Sequence, residues 1–116
     1  MQQREKEKGI MGELTKVATT DQLEPGAALC VEVRGKQIAL FNVDGNYFAI
    51  DDTCSHSGGP LSEGICEDTV VTCPWHGMRF DLKTGEPMGP LPVHGVTAYS
   101  VVVEGNDLKI ESPDDA

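Results

Sequence analysis

A chain of 116 residues has room for one domain with a modest core, and so for one principal site. Its 39% hydrophobic content, with 13 Gly and 7 Pro, fits a soluble, globular and turn-rich protein. The formal net charge of −10 argues against nucleic acid or an anionic membrane as a partner and favours a basic protein surface.

The head, MQQREKEKG, is poor in apolar residues, and residues 1–12 are expected to be a disordered tail, with Met11 an alternative start. Its charge run resembles the start of a secretory signal, but no apolar core region follows, and no apolar span of 18 residues occurs anywhere. A cytoplasmic protein is the expectation. Residues 11–116 carry 17 acidic and 6 basic side chains, so the acidity belongs to the folded part.

Alternation and turn punctuation predict strands over Leu14–Ala18, Ala28–Val33, Gln37–Val43 and Tyr47–Asp51, with turns at Arg34-Gly35-Lys36 and Asp44-Gly45-Asn46. A loop over 54–64 follows, then strands Val70–Thr72 and Met78–Asp81, a turn at Lys83-Thr84-Gly85, and the proline-rich passage GEPMGPLPVHG. Strands Ala98–Val103 and Asp107–Ile110 close the chain around Gly105-Asn106, before a second disordered tail at 113–116. No segment keeps a helical period and the connections are short, so the fold class is all-β with antiparallel pairing. Strands before residue 52 and after residue 95 are expected to form a base domain. The insertion at about 52–95 would carry the site.

That insertion holds Cys54-Ser55-His56, a C-x-H, and Cys73-Pro74-Trp75-His76, a C-x-x-H, with sixteen residues between His56 and Cys73. Four cysteines in a chain without a secretory signal point to metal binding rather than a disulfide scaffold. Gly58, Gly59, Pro60, Pro74 and Gly77 suit tight loops that bring backbone N–H groups close to a negatively charged centre. A structural Cys2His2 zinc site is one alternative, although zinc fingers group like ligands, C-x2-4-C and H-x3-5-H, whereas each loop here mixes one thiol with one imidazole.

The pair C-S-H and C-P-W-H-G resembles the motif of the Rieske family, and the resemblance extends over about residues 13–112. It implies a Rieske fold: an antiparallel, β-sandwich-like base domain with an inserted cluster-binding subdomain. It further implies one [2Fe-2S] cluster per chain, with Cys54 and Cys73 on one iron and His56 and His76 on the other. Neutral imidazoles leave less negative charge on their iron than thiolates would, which raises the reduction potential.

Departures from the family pattern sharpen the resemblance. Respiratory Rieske proteins carry two further cysteines, bridged over the cluster, where this chain has Gly59 and Trp75. The serine and tyrosine whose hydroxyls bond sulfur in that class align with Met78 and Phe80, which cannot donate such bonds. A potential toward the low end of the Rieske range, roughly −150 mV, is therefore expected.

The combination resembles the soluble ferredoxin of a ring-hydroxylating dioxygenase system. Such a ferredoxin is not an enzyme itself but a carrier of single electrons from a flavin reductase to a terminal oxygenase, and a monomer fits that role. The Rieske-like small subunit of nitrite reductase and a zinc-stapled interaction module are the alternatives. No Ser/His/Asp set, phosphate loop or nucleotide fingerprint is present.

Other residues receive plainer expectations. Trp75 serves mainly as cover for the cluster loop, Cys30 and Cys66 are spare thiols, and His94 is a solvated loop histidine. Met78, Phe80 and Leu82 alternate as a strand's buried face, and Pro87, Pro90 and Pro92 form a loop near the cluster. Asp51, Asp52, Glu63, Glu67, Asp68 and Asp81 each confer solubility and together steer a basic partner.

Overall fold

The computed structural model describes residues 14–54, 58–75, 77–88 and 95–111. Among them the fold is all-β, as expected, with eleven strands in three antiparallel sheets and no α-helix. The first sheet joins β1 (Leu14–Thr19), β11 (Asp107–Glu111) and β10 (Val101–Glu104) in that order. The second runs β2 (Ala28–Val33), β3 (Lys36–Val43), β4 (Asn46–Asp51) and β9 (Ala98–Tyr99). The third contains β5 (Ile65–Glu67), β6 (Val70–Thr72), β7 (Arg79–Asp81) and β8 (Pro87–Met88).

The predicted hairpin turns fall where the sequence places them. Arg34 and Asp44 adopt left-handed backbone, at φ 53° and 54°, and each precedes a glycine with positive φ. Two such residues in succession give the turn whose twist matches the flanking strands, which fixes the pairings Val33↔Lys36 and Val43↔Asn46.

The second sheet is the middle layer. Along β3, Ile38 and Leu40 enter one core with Leu108 and Ile110, while Ala39 and Phe41 enter the other with Val71 and Phe80. Successive side chains of a strand point to opposite faces, so a strand buried on both must be apolar throughout, as Ile38–Phe41 is. Each large side chain buried this way contributes about 1.5–3 kcal/mol of transfer free energy.

Three features differ from the sequence expectation. The predicted strand Ala98–Val103 is two strands that part at Ser100: Tyr99 pairs with Ala49 in the middle sheet, whereas Val101 pairs with Ile110 in the first. The short strands β5 and β8 were not expected. The latter begins with Pro87, tolerated because β8 is an edge strand of its sheet. The third sheet is thus built wholly from residues 65–88, next to the two cysteine loops.

Candidate metal centre

Both cysteine loops are closed in the same way. The Cys54 N–H donates to the Gly59 carbonyl at 2.9 Å and the Gly58 N–H to the Cys54 carbonyl at 2.8 Å. In the second loop the Cys73 N–H donates to the Met78 carbonyl at 2.7 Å and the Gly77 N–H to the Cys73 carbonyl at 3.1 Å. The fifth residue of each loop, Gly58 or Gly77, is left-handed at φ 80° or 77°, a conformation that costs glycine nothing and other residues appreciably. Asp81 heads a third loop of this type, with Asp81 N–H to the Glu86 carbonyl at 2.9 Å and Gly85 N–H to the Asp81 carbonyl at 2.7 Å. Its carboxylate accepts the Lys83 N–H at 2.8 Å, so it stiffens its own loop.

The two thiols are brought into one core. Cys54 and Cys73 are 2% and 1% exposed and pack with Phe41, Leu61, Val71, Met78, Phe80 and Leu82. No disulfide joins any of the four cysteines. A Cβ on Gly59 would stand 2.9 Å from Cys73 Sγ and 2.9 Å from Trp75 Cγ, so the backbone of the first loop lies directly against the thiol and ring of the second. Two thiols buried in one core fit thiolate ligation of a cationic centre, because a buried thiolate without a nearby positive charge would be heavily penalised. His56 and His76, the two imidazole candidates, and His94 lie outside the described residues, as do Pro90 and Pro92.

Asp52 and Asp51 do more than the expected solubility work, which the structure corrects. Asp52 is 7% exposed. Its Oδ1 accepts the Ser62 N–H at 2.7 Å, its Oδ2 faces the Cys30 thiol at 3.5 Å, and its carbonyl accepts the Leu61 N–H. The carboxylate thereby ties the 3-10 turn Leu61–Glu63 to the entrance of the Cys54 loop. Asp51 accepts the Tyr99 hydroxyl at 2.6 Å and the Thr97 N–H at 3.0 Å, with Lys36 Nζ at 3.7 Å. Burial and the hydrogen bond to Asp51 push the Tyr99 hydroxyl well above the usual tyrosine range. Two acids directly after the apolar stretch Phe48–Ile50 are the sequence feature that could have pointed to these anchors. Glu63, Glu67 and Asp68 are exposed, as expected of solvated charges.

The spare thiols have partners of their own, and Cys66 also packs against the core that holds Cys54 and Cys73. Cys30 is exposed and donates to Gln37 Oε1 at 3.1 Å, and Cys66 donates to the Asp68 carbonyl at 3.5 Å. Desolvation first and neighbouring acids second raise both thiols, Asp52 acting on Cys30 and Asp68 on Cys66. Met78, Phe80 and Leu82 are buried in alternation, as expected. Trp75 covers Gly59 with one part of its ring yet remains 58% exposed.

Among the described residues no helix is long and apolar enough to cross a membrane. A biphenyl dioxygenase ferredoxin subunit from Pseudomonas sp. (strain KKS102) is 37% identical over 98 residues, covering 84% of this chain and 90% of that one. The ferredoxin of carbazole 1,9a-dioxygenase from Nocardioides aromaticivorans IC177 superimposes with a TM-score of 0.80 at 34% identity, covering 84% of this chain and 96% of its own. A ferredoxin solved as a complex of reduced oxygenase and oxidized ferredoxin in carbazole 1,9a-dioxygenase matches with a TM-score of 0.80 at 27% identity, covering 89% and 96%. Residues 13–100 match the Rieske [2Fe-2S] domain, and the chain belongs to that family.

Proposed function

We propose that the chain is a one-electron carrier whose Cys54 and Cys73 hold one iron of a [2Fe-2S] cluster and whose His56 and His76 hold the other. It takes electrons from a flavin-dependent reductase and delivers them to a terminal ring-hydroxylating oxygenase, acting as a monomer in the cytoplasm. Residues 13–112 form the functional domain, with the cluster-binding part at about 52–95. When bound, the cluster supplies a one-electron couple, set above that of an all-thiolate centre by its imidazoles.

The observation that carries this proposal is the pair of identically closed loops that buries Cys54 against the same core as Cys73. The chain's own residues then have distinct tasks. Gly59 leaves room for the Cys73 sulfur, Asp52 fixes the first loop's approach, and Met78 and Phe80 exclude water beneath the thiols. A zinc-stapled module would need none of the likeness to dioxygenase ferredoxins.

The test combines the purified holoprotein with the reductase and oxygenase components of the KKS102 biphenyl dioxygenase system. Ring hydroxylation that depends on added protein supports carriage of electrons between those two classes of partner. A cluster-loaded protein that the reductase reduces but that supports no turnover contradicts the assigned acceptor.

A further inference from the structure

We infer that the outer face of the third sheet is a docking surface for the terminal oxygenase, along the row Ile65, Thr72, Arg79 and Met88. This inference rests on the proposed function and names a surface within it.

The register places these four side chains in one line. Ile65 pairs with Thr72, Thr72 with Arg79, and Arg79 with Met88, one residue from each of the four strands. Directly opposed residues of antiparallel strands point to the same face, so the row spans about 14 Å at the usual strand spacing. The neighbouring row, Cys66, Val71, Phe80 and Pro87, turns the other way toward the core, with Val71 and Phe80 fully buried. The outer row is apolar at both ends, and both ends are open among the described residues: Ile65 is 68% and Met88 39% exposed.

Exposure of this kind is concentrated here. Of five large apolar side chains exposed among the described residues, Ile65, Met88 and Trp75 belong to this sheet or its Cys73 loop. Thr72, inside the row, directly precedes Cys73, so the face adjoins the Cys73 loop. Exposed apolar side chains gathered on one face beside a functional site mark a contact region rather than ordinary scatter.

Charge selects the occupant. Exposed Glu63, Glu67, Asp68 and Glu86 rim the row, and Arg79 at its centre makes no salt bridge among the described residues. The matching surface is apolar opposite Ile65 and Met88, carries an acid opposite Arg79, and is basic at its edge. A second copy would set one acidic rim against another, and anionic lipid or nucleic acid would be repelled. Of the two redox partners, the oxygenase is the one a solved relative is seen with.

Four holoproteins test this: the wild type, the Ile65→Glu/Met88→Glu double variant, Arg79→Glu, and Val103→Glu. Val103 is 47% exposed on the first sheet and serves as the control. The probe is the oxygenase component of the KKS102 biphenyl dioxygenase, with its own reductase. The carrier concentration giving half-maximal turnover should rise about tenfold for the double variant and for Arg79→Glu, as for loss of central interface contacts, and stay unchanged for Val103→Glu. Visible circular dichroism and the rate of reduction by the reductase should match the wild type in all four. Should the new charges disturb the sheet, Ile65→Thr with Met88→Gln tests the same contact with a smaller rise in the same direction. A double variant that behaves as Val103→Glu overturns the inference, as does a defect confined to the reductase step. Turnover lost already in the cluster-loaded wild type overturns the proposed function instead, and the docking surface with it.

Discussion

Gly59 and Trp75 are in contact across the two cysteine loops: a Cβ on Gly59 would lie 2.9 Å from Trp75 Cγ, closer than real side chains approach. Where respiratory relatives in the Rieske family are expected to bridge these positions covalently, this chain packs a ring against bare backbone. Gly59→Ala must therefore displace either the indole or the Cys73 sulfur, an overpacking cost of about 1–3 kcal/mol. The variant should lose its visible absorbance faster than wild type on incubation with chelator. Equal rates would show that the loops yield without strain.

Asp52 should matter through its hydrogen bonds more than through its position in sequence. Asp52→Ala leaves the partly buried Ser62 N–H without its acceptor, at a cost of about 1 kcal/mol, while Asp52→Asn keeps an oxygen there. Thermal unfolding of the holoprotein should rank wild type above Asn and Asn above Ala. An alanine variant as stable as wild type would remove Asp52 from the loop's support.

Tyr99 links the middle sheet to the start of the cluster segment through Asp51. Its hydroxyl is harder to ionise in the folded protein than in the unfolded chain, because burial and the Asp51 carboxylate both disfavour the phenolate. The unfolded chain therefore loses this proton first as pH rises, and the contribution, complete below about pH 10, declines above it. Tyr99→Phe should cost about 1 kcal/mol at neutral pH and flatten the alkaline fall in stability. Urea unfolding at pH 8 and pH 11 checks both parts.

The buried surroundings of the thiols bear on potential. Met78 and Phe80 are 6% and 0% exposed and offer no hydroxyl to sulfur, so the couple should lie near the low end of the Rieske range, roughly −150 mV. Protein-film voltammetry measures it directly. A midpoint near the upper end would mean that other donors reach the sulfur.

Much of the fold was legible because it depends on local patterns. Val70–Thr72 and Ala28–Val33 stand at their predicted bounds, and Arg34-Gly35 and Asp44-Gly45 announce their hairpins by turn chemistry alone. What failed depends on long-range pairing. Ser100 parts two strands because Tyr99 and Val101 find partners in different sheets, which alternation along one segment cannot reveal. Ile65–Glu67 and Pro87–Met88 become strands only because β6 and β7 offer edges to pair with. At the site, the sequence marked Cys54 and Cys73, and the structure brings them into one core. It did not reveal Asp51 and Asp52 as anchors, since a carboxylate's partners here are backbone N–H groups as many as 46 residues away.

The central claim is mixed ligation by Cys54, His56, Cys73 and His76, and electron paramagnetic resonance of the reduced, histidine-15N-labelled protein tests it most directly. The predicted result is a rhombic signal carrying hyperfine coupling to two imidazole nitrogens, abolished with the cluster by His56→Ala and kept intact in His94→Ala. A colourless protein with stoichiometric zinc and no acid-labile sulfide, or a signal unchanged by His56→Ala, would contradict it.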